Sequence, residues 1–240
     1  ISEIFVHQNN IFLATAAGLY KFDQKSGEFI ETSISGSIGG LAKSSNQNQF
    51  YVTTNNKVYL YNHVENSTEE ILININKKDR DFKKIVFHNE KLWIVNENYG
   101  IVIHNVSAKS TEQLEPPSVK DTEYFSMIID RDNAVWIGTS SYGLMKYDPG
   151  KQKFNLYSKD FPASNPLGFD IAWSVTIDKD GNYWTGKAES NSEIVKIDRN
   201  SGKIKRYIQS RDPKSWFWRI TKTNDGMLLW KGYPGRNKRY

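Results

Sequence analysis

Four histidines, His7, His63, His88 and His104, are the side chains of this chain with an ordinary pKa suited to proton transfer near neutrality. None is followed by a histidine or carboxylate at the i, i+4 spacing of a metal-ligand pair, and they are expected on turns and strand surfaces. Asp130 with Asp132 and Asp178 with Asp180 have the look of calcium-loop fragments. They lack the further acids that a shell of about 6 to 8 oxygens requires, and each fits better as the opening of a tight turn. There is no cysteine, so thiolate catalysis, thiolate metal binding and disulfides are excluded. No glycine-rich phosphate loop and no Gly-x-Ser-x-Gly elbow occurs. The expectation is a chain with no catalytic residue, no metal ligand and no cofactor.

A second chemistry, recognition by aromatic faces, has more material. Phe125, Trp173 and Trp218 fall in equivalent places just ahead of three short apolar runs. Trp216, Asp170 and Arg219, with Asp121, Glu123 and Arg211, lie in the connections that lead into those runs. Tyr142 and Arg236, with Tyr99, Glu189 and Tyr233, lie in turns further along each repeat. A sugar presents one apolar face to stack on a ring, and its hydroxyls take charge-assisted hydrogen bonds from carboxylates and guanidinium groups. Phe125, Trp173, Trp218, Trp216, Tyr142, Asp170, Arg219 and Arg236 are therefore the candidate ligand-binding residues. The same three leading aromatics also suit packing between repeats, which is the competing reading.

These residues would be positioned by an internal repeat. Phe12-Leu13-Ala14-Thr15, Tyr51-Val52-Thr53-Thr54, Trp93-Ile94-Val95-Asn96, Trp136-Ile137-Gly138-Thr139, Trp184-Thr185-Gly186-Lys187 and Leu229-Trp230-Lys231-Gly232 recur at spacings of 39, 42, 43, 48 and 45 residues. A period in the low forties with several short strands per unit is that of a β-propeller blade. The fourth repeat shows the anatomy. Met127 to Ile129, Val135 to Thr139, Leu144 to Tyr147 and Lys153 to Tyr157 are four short strands separated by polar turns. Helical periodicity is sustained nowhere. The expected fold is all-β, a propeller of four-stranded antiparallel blades with about five complete blades and part of a sixth. Its inner strands fall near Ile4, Leu41, Ile85, Ile128, Val175 and Ile220. The repeats run approximately 1–36, 37–78, 79–120, 121–165, 166–211 and 212–240, the last incomplete, within one domain spanning 1–240. A ring closes by pairing its first and last blades, so a piece of a larger propeller is expected.

Composition agrees with a folded domain. Hydrophobic residues make up 38% and aromatics 13%, enough for a core, against 25% charged. No apolar run approaches the roughly 20 residues of a membrane helix, and Ile1 to Val6 has none of the regions of a signal peptide. The net charge of +5 is local: residues 203–240 hold 11 Lys plus Arg against 2 acids, and the rest of the chain is slightly acidic. A nucleic-acid groove needs basic residues facing one way with aromatics between them, and no nucleic-acid partner is expected.

Trp136-Ile137-Gly138-Thr139 followed by Gly143-Leu144-Met145-Lys146-Tyr147-Asp148 resembles the two-component regulator propeller repeat. Gly18-Leu19-Tyr20-Lys21-Phe22-Asp23, Trp184 with Gly186, and Ile197-Asp198 are similar, while repeats two, three and six depart from it, with Thr53 and Val95 where glycine is expected. The resemblance implies the extracytoplasmic, periplasmic sensor region of a bacterial hybrid histidine kinase, with a small-molecule or oligosaccharide ligand and no catalysis in this chain. It implies further propeller and connector domains in the same polypeptide, and membrane contact only through those other segments; a homodimer is a further expectation. Repeat five, with Asp180-Gly181-Asn182-Tyr183-Trp184, is also similar to streptogramin lyase repeats. A propeller enzyme of that type and a protein-interaction propeller are the alternatives.

Overall fold

The computed structural model describes residues 3–75, 81–97, 100–114, 122–151, 153–159, 166–187, 193–208, 216–222 and 228–233. Among these residues every regular element is a strand. Blade 1 is β1 (Glu3–His7), β2 (Asn10–Ala14), β3 (Gly18–Asp23) and β4 (Glu28–Ser35). Blade 2 is β5 (Ile38–Lys43), β6 (Gln49–Thr54), β7 (Val58–Asn62) and β8 (Ser67–Ile71), and blade 3 is β9 (Phe82–His88), β10 (Lys91–Asn96), β11 (Gly100–Asn105) and β12 (Ser110–Leu114). Blade 4 is β13 (Tyr124–Ile129), β14 (Val135–Thr139), β15 (Leu144–Asp148) and β16 (Lys153–Tyr157). Blade 5 is β17 (Ala172–Ile177), β18 (Tyr183–Lys187), β19 (Glu193–Ile197) and β20 (Ile204–Ile208), and a two-stranded sheet of β21 (Trp216–Lys222) and β22 (Leu228–Tyr233) follows. Each four-stranded sheet is an antiparallel meander in chain order. The all-β propeller-like fold and all six inner strands are where the sequence places them. Blades 1 to 3 belong to one compact unit, residues 1–115, and the remaining strands to a second, residues 116–240.

The burial pattern follows from sheets stacked face to face. A second strand covered on both sides must be apolar or small on both of its faces. β14 is accordingly buried at all of its positions and β6 at all but the first. Outer strands cover the sheet edge and are polar: the first four residues of β8, Ser67 to Glu70, are all exposed. In the first unit the clusters around Phe12, Phe50 and Tyr61 and around Ile85, Leu92 and Val102 fill the spaces between blades. In the second unit Trp136, Leu144, Val175 and Tyr183 do the same.

Close approach of neighbouring blades needs a missing side chain somewhere, and two blades supply it differently. A Cβ at Gly138 would collide with the Ala172 carbonyl oxygen of the next blade. Gly138 stands opposite Ser126 in the strand pair. In blade 2 the pair is reversed: Thr53 takes the Gly138 place, and its cross-strand partner Gly40 and neighbour Gly39 lie against blade 3, where a Cβ on Gly39 would strike the Phe82 carbonyl oxygen. The glycine absent from repeat two has moved across the ladder.

Where the repeat is best preserved, a buried carboxylate ties two blades together. Asp130 Oδ2 accepts from Trp136 Nε1 at 3.0 Å and from the Tyr183 hydroxyl of blade 5 at 2.7 Å, while Oδ1 accepts from the Asp132 and Ala134 amides at 2.9 Å each. Burial pushes the Asp130 carboxyl up, but those bonds outweigh it and hold its pKa below the ordinary aspartate value. Burial, reinforced by the hydrogen bond to the Asp130 carboxylate, raises the Tyr183 phenol well above its usual range. Trp136 is 1% exposed, with the Tyr183 ring 4.1 Å and the Tyr157 ring 5.3 Å from its own. Asp178 repeats the device in blade 5, accepting from Trp184 Nε1 at 2.8 Å. Blade 3 lacks it: Phe87 stands six residues before Trp93, and the buried Trp93 Nε1 has no hydrogen-bond partner.

The histidine expectation is corrected here. His63 does lie in a turn, the one after β7, but His7, His63 and His104 are buried at 5%, 8% and 3% exposure and not displayed on the surface. Their blades lack the Asp–Trp device, and imidazoles fill space instead: His7 packs on Phe5, Phe50 and His63 with centroids 5.9, 5.3 and 5.2 Å apart. Burial lowers the pKa of His7 and of His104.

Candidate functional site

The rim where inner strands begin is also the rim of the turns between second and third strands, because each first hairpin brings the start of one strand beside the end of the next. In blade 4, Tyr124 at the start of β13 pairs with Thr139 at the end of β14. The ladder shifts register between Tyr124 and Ser126, and Phe125 is the extra residue. In blade 5 the shift between Ala172 and Val175 carries Trp173. A bulge redirects the side chain of the extra residue away from the regular alternation. Phe125 and Trp173, both half-buried, meet edge to face with ring centroids 6.2 Å apart. The two aromatics aligned by sequence are therefore in contact across two blades.

Tyr142 and Asp170 come to the same rim. Thr139 organises the turn after β14, accepting from the Tyr142 amide at 3.0 Å and donating its hydroxyl to the Gly143 carbonyl at 3.0 Å. The Gly143 amide donates to the Asp170 carbonyl at 2.6 Å, which fastens that turn to the connection entering blade 5. Gly143 has φ of 66°, and a Cβ there would run into the Tyr157 carbonyl oxygen, so glycine is required. Asp170 Oδ1 accepts from the Lys159 amide at 2.8 Å, and Oδ2 takes no hydrogen bond from the described residues. Glu123 is exposed beside this turn and is held through its main chain by Ser140 at 2.9 and 3.0 Å.

The connection behind these residues was not legible as a support. Leu167 and Phe169, 0% and 1% exposed, anchor it in the core between blades 4 and 5, and Arg206 Nη2 donates to the Pro166 carbonyl at 2.5 Å. Alternation does not mark them, since they lie in a loop. The one signal is two large apolar residues around Gly168, whose φ of 89° shapes the turn.

Trp216, Trp218 and Arg219 are placed by the backbone of β21. Trp216 pairs with Tyr233 at the corresponding end of its hairpin, and Trp218 lies in the register shift between Phe217 and Arg219. The ladder opposes Trp230 to Ile220, as it opposes Trp136 to Ile128 and Trp184 to Thr176. Counted from those pairs, Phe217 is level with Phe125 and Trp173, and Trp218 is one residue on. Arg236, Asp121, Arg211, Tyr99 and Glu189 lie outside the described residues.

No protein-family model matches the sequence, and no curated protein does. The fold has solved counterparts. Over 96% of this chain and 31% of the other, it is similar to the extracellular domain of BT4673 from B. thetaiotaomicron, described as a hybrid two component system, with TM-score 0.76 and 13% identity. Another structure of the BT4673 extracellular domain, there described as a one component system, gives TM-score 0.74 and 14% identity over 95% and 31% of the two chains. U3-55K is similar with TM-score 0.63 and 10% identity over 88% of this chain and 67% of that one. The chain thus spans about a third of the length of the BT4673 domain, and what is shared at such identities is the fold.

Proposed function

We propose that this chain is a ligand-sensing propeller module of an extracytoplasmic two-component receptor, non-catalytic itself and joined to further propeller and connector domains. The observation that carries the reading is the aromatic pair Phe125–Trp173, lifted out of the ladder by bulges and set on one rim with Tyr142 and the half-engaged Asp170 carboxylate. Similarity to the extracellular domain of BT4673 supports the setting. The ligand of that rim is an oligosaccharide fragment: the rings offer an apolar face, and Asp170 Oδ2 offers an acceptor for a hydroxyl.

Calorimetry with neutral oligosaccharides against the parent and Trp173→Ala tests this, alongside a turnover screen on glycans and cyclic depsipeptides. Binding without turnover, weakened about tenfold or more in Trp173→Ala, is the expected result, since an aromatic anchor dominates such sites. Product formation would replace the reading by an enzyme. Unchanged affinity in the folded variant would take the ligand off this rim.

A further inference from the structure

One face of the blade 1 sheet is apolar and open to solvent. Ile4 and Val6 of β1 are 64% and 48% exposed, and Phe29 of β4 is 44% exposed. The ladder sets Leu13 opposite both Ile4 and Tyr20, and Ile11 opposite Val6, so these side chains share that face. Two residues beyond Tyr20, Phe22 continues it and pairs with Phe29, their rings 5.1 Å apart. Alternation sends Phe5, Phe12, Ala14 and Leu19 to the opposite face, where they pack against blade 2. A contiguous apolar strip of this kind marks a surface where a partner packs.

The other blades identify the partner. Ile4, Leu13 and Tyr20 form one rung across the first three strands. Its counterparts are Leu41, Val52 and Tyr59 in blade 2, Ile85, Ile94 and Val102 in blade 3, and Val175, Thr185 and Val195 in blade 5. In blade 2 this rung packs against Phe12, Ala14 and Leu19 of blade 1. In blade 3 it packs against Ala42, Tyr51 and Val58 of blade 2, and in blade 5 its valines pack against Trp136 and Leu144 of blade 4. Three times the same face receives the preceding blade, and its central residue, Val52, Ile94 or Thr185, is 0% exposed. In blade 1 the central residue Leu13 is only half-buried.

These seams pair unlike faces. The preceding blade always brings a ring from its second strand, Phe12, Tyr51 or Trp136. Two copies of this chain meeting through blade 1 would set like face against like with no such ring between them, because Phe12 is already buried in the seam with blade 2. The open face is therefore shaped for a blade and not for a second copy.

We infer that the open face of blade 1 is a blade-to-blade seam, covered by a further four-stranded blade of the same polypeptide outside residues 1–240 that brings an aromatic in the place of Phe12, Tyr51 and Trp136. This rests on the reading that the chain is joined to further propeller sequence, and it names the surface through which they join and the chemistry that meets it.

Thiol labelling tests this, since the chain has no cysteine of its own. Ile4→Cys, and Val64→Cys on the exposed turn after β7 as a control, are placed in the 240-residue chain and in the full-length protein. Modification by N-ethylmaleimide is followed at each peptide by mass spectrometry. Both thiols are expected to react at similar rates in the 240-residue chain. In the full-length protein Ile4→Cys is expected to react about a hundredfold more slowly, as a group does that is reached only by local opening, and Val64→Cys at an unchanged rate. Val6→Lys is expected to leave the melting temperature of the shorter chain unchanged and to lower that of the full-length protein by roughly 5 °C or more, the effect of an unpaired charge in a packed seam. Equal labelling of Ile4→Cys in both proteins, or a Val6→Lys change harmless in both, would overturn the inference. Protection already present in the shorter chain and rising with its concentration would overturn it in favour of a second copy. Oligosaccharide calorimetry on the same full-length sample separates this seam from the sensing role: a protected Ile4→Cys without sugar binding supports the seam and removes only the ligand, and sugar binding with an open face removes only the seam.

Discussion

The seam between blades 4 and 5 and the seam between blades 1 and 2 solve one packing problem with opposite chemistry. At the first, a buried carboxylate accepts from Trp136, Tyr183 and two amides, so each of its oxygens has two partners. At the second, Phe12, Phe50, His7 and His63 fill the gap with rings, and one imidazole is left unmatched. A repeat that keeps its Asp and Trp gains a seam tied by a fully engaged carboxylate. A repeat that has lost them keeps shape through aromatic bulk and leaves an imidazole unmatched inside it.

The largest expected effect breaks the carboxylate-tied seam. Trp136→Ala removes a fully buried ring and one of the four donors to Asp130, and a loss of about 3–5 kcal/mol in urea unfolding is expected. Melting like the parent would mean that Trp136 is not the inter-blade wedge described above.

Asp130→Asn comes next, at about 2 kcal/mol, because an amide in place of the carboxylate sets its own donor against donors already there. It also carries a pH signature. Asp130 is held below its unfolded pKa, so its contribution is present in full above the ordinary aspartate value near 4 and is lost as pH falls through the folded value. Stability curves of parent and variant should converge on acidification. Parallel curves down to about pH 2 would show that the carboxylate is not preferentially bound in the folded state.

Trp184→Ala sharpens the comparison inside the second unit. Trp184 makes the same bond to Asp178 as Trp136 makes to Asp130, yet it is only half-buried, stacked on the exposed Tyr207 at 5.5 Å. About 2 kcal/mol is expected, less than for Trp136 because less apolar area leaves water. A loss as large as that of Trp136→Ala would make the aspartate bond, not ring burial, the main term.

Which parts of this were legible follows from the same contrast. Spacing of the aromatic-led runs located all six inner strands, because a strand buried on both faces must be apolar whatever its other residues are. The shared rim position of Phe125, Trp173, Tyr142 and Asp170 was legible because rim residues hold fixed offsets from those runs. The histidines were misread for want of pair information: nothing local to His63 says that Phe12, 51 residues earlier, will pack against it. The exchange of glycine between Gly138 and Gly40 shows the same limit. Thr53 looks like a lost motif until its cross-strand partner is known. Leu167 and Phe169 escaped because loop residues follow no period.

The smallest effect has the opposite sign and bears on both seams. His63→Phe replaces a ring that has two unpaired nitrogens by one that has none, in a space already lined by Phe12 and Phe50. Exchange of unsatisfied polar atoms for apolar ones of similar shape is neutral or stabilising, and a gain of up to about 1 kcal/mol is expected in urea unfolding. The matching change on the other side, Tyr183→Phe, takes away a hydroxyl that donates to Asp130 and should cost about 1 kcal/mol. Opposite signs for these two removals would establish that the Tyr183 hydroxyl is engaged and the His63 nitrogens are not. If His63→Phe instead costs stability on the scale of Tyr183→Phe, His63 has a partner in the folded protein and the two seams are alike.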